Sequence, residues 1–145
     1  MAHPLKLGLL AAFALFFLTQ GAVAQLPPAD EASIRNADSS TIDTLMRTTA
    51  QRMAGNLPAR LDAVTEMQSV YYDKPSKTLV MSGRLLGPID VEKAKVAQRE
   101  TFCAQPRNRT LIAKGVTYSY HYTRANESPV ILNMTASSCG VKPIN

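Results

Sequence analysis

Hydrophobic residues are arranged along this chain as one unbroken run, then helical stripes, then pairs of alternating stretches. The run spans Leu7 to Leu18 behind a short start carrying Lys6, and gives way to Thr19-Gln20-Gly21-Ala22-Val23-Ala24 before Gln25. A basic start, an apolar middle and small residues two apart form the three parts of a secretory signal, with Ala22 and Ala24 where signal peptidase reads small side chains. Residues 1–24 are therefore expected to be removed between Ala24 and Gln25. A dozen or so apolar residues fall short of the ~20 that cross a bilayer as a helix, so no transmembrane segment is expected in the mature chain. Gln25 stands where lipidation would need a cysteine, which points to export without a lipid anchor.

Beyond the cut, residues 25–40 are polar and alanine-rich with Pro27-Pro28, a pattern that predicts a flexible or loosely helical lead-in contributing little core. Ile42, Leu45, Met46, Ala50 and Met53 then share one helical face, predicting a helix from Thr41 to Ala54, with Ser40 and Asp43 as a loose capping box and Gly55 as the stop. Two extended stretches follow, from Arg60 to Tyr72 and from Thr78 to Leu85, joined by Lys74-Pro75-Ser76-Lys77 as in a hairpin. In the second of them Leu79, Met81 and Leu85 fall on one face, Ser82 and Arg84 on the other.

Gly87-Pro88 ends that hairpin, and Asp90 is a good N-cap for a helix from Val91 to Cys103. Its inward stripe is Val91, Ala94, Gln98, Thr101 and Phe102. Pro106 starts a shorter helical turn with Leu111 and Ile112 that stops at Gly115. A second hairpin is read from the alternation of Val116 to Thr123 and of Val130 to Thr135. The fold class expected is α+β: an N-terminal helix followed by a ββαββ unit, forming one domain over residues 41–145 with an antiparallel sheet and helices on one face. Strict alternation would put Cys139 on the face of Asn133 and Thr135, and a bulge near Ser137-Ser138 would bring it back.

Charge and cysteines add a compartment and a staple. The net charge of +5 becomes +4 once Lys6 leaves, a mildly basic surface with both signs mixed. An exported chain meets an oxidising compartment, where Cys103 and Cys139, the only two cysteines, are expected to pair. Neither C-x-x-C spacing nor a nearby histidine supports a redox or metal site, and no cofactor or metal is expected.

His121 is the single histidine of the mature chain, without the partners that a zinc site or a nucleophile elbow requires. Asp62 with Glu66, and Asp90 with Glu92, are the carboxylate pairs that acid–base chemistry could use. Helix capping and exposed charge at a strand entry explain them more simply. Tyr118, Tyr120 and Tyr122 share a strand face, read as core beneath the helices, with an exposed aromatic platform as the alternative. Lys93, Lys95 and Arg99 on the central helix, continued by Arg107 and Arg109, form the candidate binding surface for an envelope protein or another anionic surface. Nucleic acid is not expected as a partner outside the cytoplasm.

From about Leu57 to Gly140 the chain resembles a kind of small exported proteobacterial two-cysteine α/β protein, through Phe102-Cys103, Arg109, Gly115-Val116-Thr117-Tyr118-Ser119-Tyr120 and Cys139. At the level of fold it is similar to the α/β pilotins of type II secretion, small periplasmic domains that escort a secretin. These resemblances imply a helix, a ββαββ unit and the disulfide, and carry no catalytic residues. The function expected is a non-catalytic periplasmic or secreted interaction module binding a protein of an envelope or secretion assembly. The alternatives are an inhibitor or immunity protein against a cell-wall-acting enzyme, and a small hydrolase using His121.

Overall fold

A computed structural model describes residues 30–145; the expected signal peptide, its cleavage site and the first residues of the lead-in lie outside them. The order is α1 (Glu31–Asn36), α2 (Ser39–Ala54), β1 (Ala59–Arg60), β2 (Thr65–Asp73), β3 (Thr78–Leu85), α3 (Val91–Cys103), α4 (Pro106–Ala113), β4 (Thr117–Thr123) and β5 (Val130–Met134), then a 3₁₀ turn, Ser137–Cys139. Each long helix begins where a side chain satisfies an orphan N–H. Asp38 accepts from Thr41 N at 2.7 Å at the start of α2, and Asp90 accepts from Lys93 N at 3.1 Å at the start of α3. Asp38, two residues before Ser40, is thus the true cap of α2. Pro106 occupies the first turn of α4, where its missing N–H costs nothing.

The five strands lie in the order β1-β2-β3-β4-β5, in a mixed, mostly antiparallel sheet. β2–β3 and β4–β5 are the two expected hairpins. The central pair departs from the antiparallel expectation: β3 and β4 run parallel, with Thr78 opposite Thr117 and Arg84 opposite Thr123. The reason is the connection, because α3 and α4 carry the chain back along the sheet to the end at which β3 began.

One sheet face carries the core. Leu79, Met81 and Leu85 of β3 sit beside Tyr118, Tyr120 and Tyr122 of β4 and Leu132 and Met134 of β5, all buried beneath the helices. The tyrosine stripe is core. Phe102 of α3 meets the Tyr118 ring edge-on at 4.8 Å between centroids, and Tyr120 stacks on Tyr122. Part of the lead-in joins in, since Ile34 of α1 is 1% exposed and α1 packs on α4. Ile34, the Asp30 cap and a hydrogen bond from Thr110 Oγ1 to Glu31 Oε1 at 3.2 Å hold that turn.

The helices differ in how much of themselves they bury. Four of the eight residues of α4 are buried, Thr110 to Ala113. In α3, among 13 residues, only Gln98 and Phe102 are. Its outward side is made by Glu92, Lys93, Val96, Arg99 and Glu100.

Candidate functional site

The outward side of α3 carries Lys93 and Arg99, and the end of that helix is locked. Cys103 is bonded to Cys139 with their Cα atoms 5.4 Å apart. The strand stops at Met134, and the following 3₁₀ turn, closed by Gly140 at φ +61, swings Cys139 toward α3. That turn, with no bulge at Ser137-Ser138, solves the facing problem posed by strict alternation. Arg109 reinforces the lock: its Nη1 donates to the carbonyls of Cys103 at 3.5 Å and Cys139 at 3.3 Å. The guanidinium thereby supplies donors to two carbonyls at helix ends that lack intrahelical partners.

The five basic candidates thus fall into separate settings. Arg109 faces the disulfide. Arg107 is partly buried, and its charge reaches the Tyr118 hydroxyl. Lys95 lies toward the core side of α3 and pairs with Glu92 at 3.2 Å. Lys93 and Arg99 stand exposed, interleaved with Glu92 and Glu100. Between them is Val96, 51% exposed. Val96 stands off the inward stripe of α3, which is the signal in the sequence by which it could have been found.

The other candidate chemistry is structurally committed. Ser119, only 6% exposed, donates its hydroxyl proton to Asn133 Oδ1 at 2.6 Å, and its oxygen lies 2.7 Å from His121 Nε2. In this arrangement the hydroxyl proton is given to Asn133 and not to the imidazole, where a general base would take it. Asp90 caps α3, Glu92 binds Lys95, Asp62 accepts from Val64 N, and Glu66 pairs with Arg84 at 2.9 Å. Asp62 keeps its other oxygen, Oδ2, buried without a hydrogen-bond partner. Among the described residues, no group of three histidine, cysteine or acidic side chains gathers to hold a metal.

Burial also sets the tyrosine chemistry. Desolvation raises the pKa of Tyr118, Tyr120 and Tyr122 above the ordinary phenol range, so they are neutral hydroxyls in the folded domain. Gln98 reaches Tyr122 with its Nε2 3.4 Å from the phenol oxygen. Tyr72 is raised as well, first by desolvation and then by donating to Asp43 Oδ1 at 2.7 Å.

On the opposite sheet face, Tyr71 and Ile131 are exposed, at 55% and 51%. They belong to β2 and β5, with β3 and β4 between them. No described helix is long and apolar enough to cross a membrane.

No protein-family model and no curated protein matches the chain by sequence. Among solved structures, the fold is similar to the pilotin of the Vibrio vulnificus type 2 secretion system, at 12% identity and a TM-score of 0.58, over 70% of this chain and 94% of that one. It is likewise similar to a Pseudomonas aeruginosa protein described as secreted, at 15% identity and a TM-score of 0.56, over 72% of this chain and 99% of that one. The type II secretion pilotin of Vibrio cholerae aligns at 15% identity and a TM-score of 0.53, over 70% of this chain and 94% of that one. The domain thus has a fold shared by pilotins and a protein described as secreted, recognisable in three dimensions at identities where sequence comparison finds nothing.

Proposed function

We propose that the domain is a non-catalytic interaction module of the cell envelope, an accessory of a secretion assembly that binds one protein of that assembly through the outward face of α3. The observation that carries this reading is the imbalance in α3. The helix buries only two of its 13 residues yet is fixed at its C-terminal end by a disulfide. Packing of that extent is a weak hold for a helix, and the covalent bond together with Arg109 keeps in place a surface that the core alone would leave loose. The fold shared with pilotins supports an accessory role.

The proposed surface has an exposed apolar centre, Val96, with charges of both signs around it, the layout of an interface core and rim. A secretin is the first partner to test. Reversing Lys93→Glu together with Arg99→Glu is expected to weaken partner capture at low salt about tenfold or more, while stability changes by no more than about 0.5 kcal/mol. The measurement is binding of the purified variant alongside its melting curve. Equal capture by both proteins would move the interaction off this helix.

A further inference from the structure

A second feature, away from the residues of α3, plays no part in that reading. Where α1 meets α2, a cleft of about 560 Å³ opens beside the β2–β3 turn and the α4–β4 turn. Its walls include Arg35, Asp38, Lys77, Lys114 and Ile144. Such a volume falls within the ~300–1,000 Å³ of small-molecule sites.

Three elements bring one cation each to this cleft, against one acid. The acid is already engaged: Asp38 caps α2 through Thr41 N, and that bond, helped by the charge of Lys114, holds its carboxyl below the usual range. Arg35 gives Nη2 to Glu31 at 3.0 Å and keeps further guanidinium N–H groups in reserve. Among the described residues, neither Lys77 nor Lys114 has an ion-pair partner.

The backbone around the cleft is tied down at two of its walls. Lys77 adopts φ +52, a left-handed conformation that glycine takes freely and a lysine takes at a steric cost. Its N–H donates to Lys74 O at 3.1 Å, and its carbonyl accepts from Thr117 N at 3.0 Å, tying the turn to the start of β4 just past Lys114. Ile144 N donates to Ala113 O at 2.8 Å, pinning that wall to the end of α4.

We propose that this cleft binds a phosphate group. Two ammonium groups without ion-pair partners among the described residues, and a guanidinium with N–H groups to spare, offer more donors than the two oxygens of a carboxylate can use and suit the several acceptor oxygens of a phosphate. The site rests on these side chains and not on the start of α2, whose first-turn N–H is taken by Asp38. The phosphate could belong to a small soluble ester or to a phospholipid head group, and the chemistry of recognition is the same.

The test uses the mature chain from Gln25, labelled for amide spectroscopy and titrated with inorganic phosphate. In parallel it is sedimented with vesicles of phosphatidylcholine, with and without phosphatidylglycerol. Saturable shifts at Arg35, Lys77 and Lys114 with phosphate, or cosedimentation only with the anionic vesicles, is the expected result, and which of the two occurs identifies the source. Lys77→Gly with Lys114→Gln should weaken that binding at least about tenfold. The fold should survive, because glycine suits the left-handed position. No saturable response to either probe, unchanged affinity in the variant, or an equal response to sodium chloride at matched ionic strength would overturn the proposal.

Discussion

Replacing Cys103 and Cys139 together by serine is expected to lower the stability of the domain by about 4 kcal/mol, and its melting temperature by about 15 °C. The bond closes a loop across a sequence separation of 36 residues. Freeing that loop returns chain entropy to the unfolded state, which accounts for the magnitude in the loop-closure view. A small domain has only about 5–15 kcal/mol to lose, so the variant should still fold, with much less in reserve. The loss should also be uneven. With two of its residues in the core, α3 depends on the bond far more than α2, which buries Ile42, Met46, Ala50 and Met53. Amide exchange across Val91–Cys103 should accelerate well before that of Ser39–Ala54. An unchanged melting curve, or exchange that quickens equally in both helices, would show that packing alone holds α3.

Above pH 10 the domain is expected to unfold in one cooperative step. In the unfolded chain a tyrosine ionises near pH 10, whereas burial keeps Tyr118, Tyr120 and Tyr122 neutral to higher pH in the fold. For a group whose folded pKa is raised, the stabilisation is complete below the unfolded pKa and is lost as pH climbs past it. Each such tyrosine removes about 1.4 kcal/mol per pH unit above 10, and the three together roughly 4. That gradient exhausts the stability of an ordinary domain of about 5–15 kcal/mol between about pH 11 and 14. Tyrosinate absorbance and loss of circular dichroism should rise together. Gradual ionisation of these three tyrosines near pH 10 in a domain that stays folded would show that they are not sealed in the core.

Much of this architecture can be read from residue patterns because single local signals agree there. Asp90, Gly87-Pro88 and the weak stripe of Gln98 and Phe102 bound α3, and the Tyr118-Tyr120-Tyr122 alternation marks β4 and its buried face. The two hairpins and the cysteine pair follow in the same way. What escapes the pattern depends on contacts between distant segments. The parallel β3–β4 pair is a property of the helical crossover and leaves no periodicity of its own. Ile34 is one apolar residue in a polar stretch, and only its docking against the core gives it meaning.

The candidate binding surface was less legible than the fold for a similar reason. Side-chain type marks Lys93, Lys95, Arg99, Arg107 and Arg109 as equivalent, yet their surroundings divide them. Arg109 turns to two carbonyls beside the disulfide, and Lys95 turns to Glu92. Val96 lies off the apolar stripe of its helix, but single exposed apolar residues are common on protein surfaces and do not by themselves mark a site.

The central claim, that the outward face of α3 is the recognition surface, can be tested most directly by site-specific photocrosslinking in envelope preparations. A photoreactive side chain would be placed at Val96 in one variant and at Tyr71, on the opposite sheet face, in another. One discrete adduct with an envelope protein is expected from position 96, suppressed by Lys93→Glu with Arg99→Glu, and none from position 71. A discrete adduct from position 71 with none from position 96 would contradict it.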